Sequence, residues 1–203
     1  MIARRVIGDE RGVTIVEFAI VAPILLLILI AGFDLGHRSY VGAVLQGAVT
    51  DAARRASVEA PALRGTGALE DRVETMIWAQ IRPVAANAEL TVTQSNFYDF
   101  SGIGNPEKIT VDRNDNGVYD EEEGDCFSDL NENGEFDLDT GRDGRGGAND
   151  VVFYQARLEM ESLLPIASFL GGSNRYAIVA ETAIRNQPWE TQRTPPVVCG
   201  VPA

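Results

Sequence analysis

Residues 12–33 read GVTIVEFAIVAPILLLILIAGF, and this stretch decides how the rest of the chain is disposed. From Phe18 to Phe33, sixteen residues run without a charged or strongly polar side chain. Extended back to Val13, the stretch is about 31 Å long as a helix at ~1.5 Å per residue, enough to cross the hydrocarbon core of a bilayer. Arg4, Arg5 and Arg11 precede it and Asp34 follows. The positive-inside tendency therefore predicts a cytoplasmic N-terminus and an exported remainder. A cleaved secretory signal shares the basic start, but no A-x-A cleavage site follows here. Instead Leu35, Val41, Val44, Leu45, Ala48, Val49 and Ala52 recur at spacings of three and four, which carries the helix on beyond the membrane. A retained single-pass anchor is the expectation, with residues 13–33 as its spanning half.

Glu17 interrupts the front of that span. A carboxylate there costs roughly 2–3 kcal/mol unless it is paired, which makes it a functional candidate. The alternative is an interfacial side chain that snorkels to water. Pro23 cannot donate to the carbonyl of Ala19, so a kink is expected there. A basic leader, then Gly12, four apolar or small residues, Glu17, Phe18 and a long apolar run resemble the prepilin processing site of type IV pilins, in particular the Flp branch of tight-adherence pili. The resemblance implies a leader of residues 1–12, removed by a prepilin peptidase that cuts after Gly12. Val13 would then begin a mature chain of 191 residues, with Glu17 as its fifth. The family's pattern more often has Tyr after the Glu, where this chain has Phe18. The chemistry agrees with the resemblance. A free amine on Val13 is a cation at the membrane edge, and Glu17 is the nearest anion, within the helix or on a neighbouring subunit. Pairing removes much of the desolvation cost of both.

The composition narrows the remainder. The chain has 203 residues, 45% of them apolar, so it can build a core of ordinary size. Its 17 Lys and Arg stand against 30 Asp and Glu, for a formal charge of −13. Such a balance argues against nucleic acid as a partner, because phosphate binding needs basic patches. One histidine, His37, and two cysteines, Cys126 and Cys199, are too few for a zinc site of the usual Cys/His type. His37 lies just outside the span and reads as an interfacial polar residue.

Residues 34–203 are expected to form an exported α+β domain. The long helix should end near Pro61, and residues 69–81 form a second helix stopped by Pro83, with Met76 and Trp78 in the core. Residues 90–98 alternate and are β-branched, so they read as a strand, with 151–160 and 176–185 as a second and a third. Residues 163–172 make an apolar connector. An antiparallel sheet packed on the exported half of the long helix follows. The tail carries Pro188, Pro195, Pro196 and Pro202 and is extended. In an oxidising space Cys126 and Cys199 would pair. A bridge over 73 residues would stabilise by roughly 4 kcal/mol on the chain-entropy argument and pin the tail to the acidic region. Two free thiols are the alternative.

The acidity is local. Residues 107–150 hold 15 acidic side chains against four basic ones. Within them Asp112, Asn114, Asn116, Gly117, Asp120 and Glu123 match the twelve-residue calcium loop D-x-[DN]-x-[DN]-G-x5-E. Asp112, Asn114, Asn116 and Asp120 would offer side-chain oxygens, Val118 its carbonyl and Glu123 a bidentate carboxylate. A second run offers Asp129, Asn131, Asn133, Glu135, Asp137 and Asp139, but ends on Thr140 where the bidentate Glu would stand. Asp139 or Asp143 is the candidate substitute. Five residues separate the two loops, too few for flanking helices, so these are calcium loops without EF-hands. One calcium ion is expected and a second is possible. A solvated acidic linker that binds nothing is the alternative.

Three further stretches, NGEFDLDTGRDGRGGANDVVFY, LLPIASFLGG and AIRNQPW, resemble the exported domain of TadE-like pilus assembly proteins, which share the GVTIVEFAIVAPILLLIL start. The matching pieces cover about residues 12–57 and 97–189. The resemblance implies a minor pilin or pseudopilin of the tight-adherence system, held in the inner membrane with its domain in the periplasm and able to enter an extracellular pilus. Its partners would be other pilin and pseudopilin subunits and the prepilin peptidase, and it would not be an enzyme. The competing reading is an anchored calcium-dependent binding module or adhesin that never polymerises. An anchored enzyme is a third, but no carboxylate pair stands apart from the loops for acid/base work.

Overall fold

The computed structural model describes residues 13–164, 168 and 171–201. The leader, Gly12 included, lies outside the described residues, as do parts of the apolar connector at 163–172. The chain begins with one helix, α1 (Val13–Ala56, 44 residues), which runs through Pro23 without interruption. Its first part is apolar enough to span a membrane, with mean hydropathy 2.7, and nothing in that window is buried by the protein. Only the last third packs. Val41, Leu45, Ala48, Val49, Ala52, Ala53 and Ala56 are fully buried, at the three- and four-residue spacing of one helix face. Leu35, expected on the same stripe, is exposed, and the fully buried stripe begins at Val41. The helix ends at Ala56, five residues before Pro61. There the Ser57 hydroxyl donates to the Arg54 carbonyl, and the Ser57 carbonyl accepts from the backbone of Gln187, so the chain is turned out of the helix before the proline acts.

Helix α2 (Leu69–Ile81) matches its sequence reading. The Asp71 carboxylate accepts from the Ala68 backbone at its start, and Val73, Ile77 and Ile81 form its buried stripe. Met76 and Trp78 are half-buried at the rim of the core. Arg72 ties the crossing between the helices by donating to the carbonyls of Pro61 and Leu63.

Both helices lie on an antiparallel sheet of β1 (Glu89–Phe97), β4 (Arg142–Asp143), β5 (Val151–Glu161) and β6 (Arg175–Arg185), in the order β4-β1-β5-β6. Alternation sets the core face. Val152, Tyr154, Ala156, Leu158 and Met160 of β5 all point at α1 and α2. The fold is thus α+β with an antiparallel sheet against the upper part of the long helix, as the sequence indicates.

The acidic region differs from a plain insertion. It contains β2 (Lys108–Val111) and β3 (Cys126–Ser128), which join β7 (Val197–Cys199) of the tail in a second sheet, ordered β2-β3-β7. The proline-rich tail is therefore partly a strand. Proline is tolerated because β7 starts after Pro196 and lies at a sheet edge. The smaller sheet sits at the end of the domain remote from the apolar half of α1, while the β5–β6 end of the larger sheet reaches back toward it. His37 and Asp34 contact Val84 and Leu163 at one end, while the acidic loops join β1 and β5 at the other, where Phe97 pairs with Val151.

Candidate functional site

Of the residues expected to mark processing, Val13, Glu17 and Phe18 lie at the start of α1, and Gly12 lies outside the described residues. Val13 is its first residue, and Glu17 and Phe18 are exposed about one turn on.

The acidic loops, residues 112–123 and 129–140, repeat one backbone path seventeen residues apart. In the first, the Asp112 carboxylate accepts from the backbone N–H of Asn116 and Gly117 at 3.3 and 2.7 Å. In the second, Asp129 accepts from Asn133 and Gly134 at 3.1 and 2.8 Å. Asn114 and Asn131 each accept from the backbone two residues on, at 3.0 and 3.1 Å. Asn116 and Asn133 do the same at 2.6 and 2.8 Å. The fourth position has positive φ in both, 56° at Asp115 and 61° at Glu132, and so does the sixth, 76° at Gly117 and 83° at Gly134. Glycine at the sixth position takes that conformation without the Cβ penalty. The N–H bond to Gly117, first among several backbone donors, holds the Asp112 carboxyl below its ordinary value.

Two residues outside the twelve-residue pattern complete this arrangement. Asp125, fully buried, accepts from the backbone of Arg113 at 2.9 Å and of Asp120 at 3.1 Å. Glu107, also buried, accepts from Leu130 at 2.6 Å and Asp137 at 3.3 Å. These donors are the second and ninth positions of their loops, so each loop is pinned by one buried carboxylate at the same two points. Burial raises the Glu107 carboxyl above its ordinary value, against the lowering effect of its backbone donors. Neither residue belongs to the loop pattern, and their sequence spacing to the loops differs, which is why the motif does not reveal them.

The twelfth positions diverge. Glu123 accepts from the Asn114 amide. Thr140 is buried and donates to the Gly102 carbonyl at 3.1 Å, away from its loop. Asp139 accepts from Gly141, and Asp143 lies on β4 opposite Ser95. Asp137 instead accepts from the side-chain amides of Asn131 and Asn133 at 2.7 and 2.6 Å. The donors are all hard oxygens, the chemistry that calcium takes, and each carboxylate oxygen keeps lone pairs beyond those given to N–H donors. Among the described residues, however, no three Asp, Glu, His or Cys side chains converge as a metal-holding group. The first loop carries every residue of the twelve-residue pattern, and the second lacks its terminal carboxylate.

The tail straps both loops. Cys126 and Cys199 form a disulfide across directly opposed positions of β3 and β7. The Pro196 carbonyl accepts from Asp129 and the Asp125 carbonyl from Gly200, both at 2.9 Å. The Arg193 guanidinium donates to the Leu130 carbonyl and pairs with Glu132.

A family model described as TadE-like protein matches residues 12–54. The match begins on Gly12, includes Glu17 and Phe18 and follows α1 almost to its end. It does not reach residues 97–189, where the sequence suggests a further likeness. No curated protein and no solved structure matches the chain.

Proposed function

We propose that this chain is a minor pilin or pseudopilin of a tight-adherence pilus, cleaved by a prepilin peptidase after Gly12 and acting in assembly or at the tip without catalysis. The observation that carries this reading is the family match over residues 12–54, which starts on the proposed cleavage residue. A continuous 44-residue helix with an apolar first half and a packed last third is the shape such a subunit needs. One part can lie in the membrane or among neighbouring helices while the other holds the exported domain. Cleavage would place a free amine on Val13, four residues from Glu17, and that pair would set the axial register between subunits. The peptidase, the other pilin subunits and the inner membrane are the partners this role requires.

Calcium belongs to the same proposal. Asp112, Asn114, Asn116, Asp120 and Glu123, with the Val118 carbonyl, would hold one ion, and the weaker set of Asp129, Asn131, Asn133, Asp137 and Asp139, with the Glu135 carbonyl, a second. The ion would supply positive charge to a segment that otherwise repels itself.

Complementation tests the assembly role. With Glu17→Gln as the only copy, the protein should insert into the membrane at least as well as the wild type, since a charge leaves the span. It should fail to support piliation. Normal piliation by that variant would show that the charge is not used in assembly.

A further inference from the structure

The apolar half of α1 is not the only apolar surface at its end of the molecule. Between Glu161 and Arg175 the chain carries no charge for thirteen residues, and it opens with Ser162, Leu163 and Leu164. Leu163 and Leu164 are 54% and 44% exposed, although they immediately follow the strand that forms the centre of the core. Their height along α1 is fixed. The backbone N–H of Leu163 donates to the Asp34 carboxylate at 2.9 Å, and Asp34 is the first charge after the uninterrupted apolar run. Leu164 reaches further down. It lines one cleft with Ala31, Asp34, Leu35, Arg38 and Tyr176, and Ala31 lies inside the apolar run, about 4.5 Å below Asp34 at ~1.5 Å per residue.

The neighbours have the character of a bilayer interface. The Arg38 guanidinium sits 4.6 Å from the Tyr176 ring centroid, and Tyr40 is exposed on the next part of α1. Tyrosine is enriched at headgroup level, and a long cation there keeps its head in water while its stem lies on apolar surface. Glu161 and Arg175, exposed and charged, limit how far Leu163 and Leu164 can sink. Two exposed leucines beside the last turn of a spanning helix meet the same hydrocarbon boundary that the helix itself leaves.

We infer that the start of the β5–β6 connection is a second membrane contact, with Leu163 and Leu164 seated in the interfacial layer of the leaflet from which α1 emerges. The partner is the lipid surface, and the contact fixes the tilt of the exported domain on its anchor. This rests on the reading of α1 as a membrane anchor.

The test separates the two claims. The full chain is reconstituted in phosphatidylcholine–phosphatidylglycerol vesicles with a spin label on Phe33→Cys, Leu163→Cys, Leu164→Cys or Val118→Cys, one at a time. Relaxation by dioxygen, which concentrates in lipid, is compared with relaxation by a water-soluble nickel chelate. The expected result is a shift of the labels at 163 and 164 toward the oxygen-dominated ratio of the label at 33 and away from the water-exposed ratio at 118. If 163 and 164 match 118 while 33 is in lipid, the second contact is overturned and the anchor stands. Labels at 163 and 164 shielded from both reagents would overturn it in favour of a protein cover, such as a second copy. A water-exposed label at 33 would overturn the anchor and this inference with it.

Discussion

Tyr119 and Phe136 stack with ring centroids 4.6 Å apart and planes 16° from parallel, and each occupies the eighth position of its acidic loop. Phe127, on the strand between the loops, meets both rings edge-on at 5.1 and 5.5 Å. The two loops are therefore packed as one unit around an aromatic cluster, with charged rims facing water and rings facing each other. Aromatic pairs of this kind contribute about 0.5–1.5 kcal/mol beyond the area they bury.

Phe127→Ala should destabilise the acidic unit by ~3–5 kcal/mol, the range for a large buried aromatic, since Phe127 is 1% exposed. Chemical unfolding of the purified chain in detergent, read by tyrosine fluorescence, measures it. A loss below about 1 kcal/mol would mean that the loops are held by their backbone bonds and strap alone.

Helix α2 and the strands β1, β5 and β6 are written in their own residues. Apolar spacing of three and four marks α2, alternation marks the strands, and both are local properties. The second sheet is not. β2, β3 and β7 have four, three and three residues, too short for a period, and β7 pairs with β3 across 73 residues of chain. Only the expectation of a Cys126–Cys199 bridge hinted at that contact, and it said nothing of strands. The loop ligand types are legible because the spacing is local. The buried carboxylates of Glu107 and Asp125 are not, because their role depends on where the chain brings them. The early end of α1 likewise reflects a contact with Gln187 that no local pattern records.

Tyr154 gives a pH dependence with a definite sign. Its hydroxyl is buried and finds no hydrogen-bond partner among the described residues. Burial, offset in part by Arg145, pushes its pKa from 10.0 up to about 12. A phenol raised in the folded state is stabilising below its unfolded value, and that contribution is lost as pH rises from 10 through about 12. Tyr154→Phe should cost less than about 1 kcal/mol at pH 7. It should also lose less stability than the wild type when denaturant titrations are moved from pH 9 to pH 11.5, roughly 2 kcal/mol at most. Parallel decline of the two proteins would place the alkaline loss on other groups.

Calcium should raise the unfolding temperature of the chain in a concentration-dependent way, by mass action on the folded state. The expected affinity is ~10⁻⁵–10⁻³ M, that of modules outside the cytosol. Glu123→Gln should weaken binding most and Asp112→Ala nearly as much, while Thr140 variants should leave the first site unchanged, since Thr140 faces Gly102. Reducing the Cys126–Cys199 bridge should lower the affinity without abolishing it, because the strap releases Asp125 and Asp129 from the tail. Calorimetry measures all four; no binding heat at millimolar calcium, with no chelator-sensitive shift in melting, would leave the loops as a charged scaffold.

The central claim is that the chain is processed as a prepilin, and the N-terminal sequence of the protein recovered from peptidase-competent cells tests it most directly. The account predicts a chain that begins Val13-Thr14-Ile15-Val16-Glu17, and an uncleaved product when Gly12 is replaced by a bulky residue. Intact protein beginning at Met1 in those cells would contradict it and leave an anchored domain that is not a pilin.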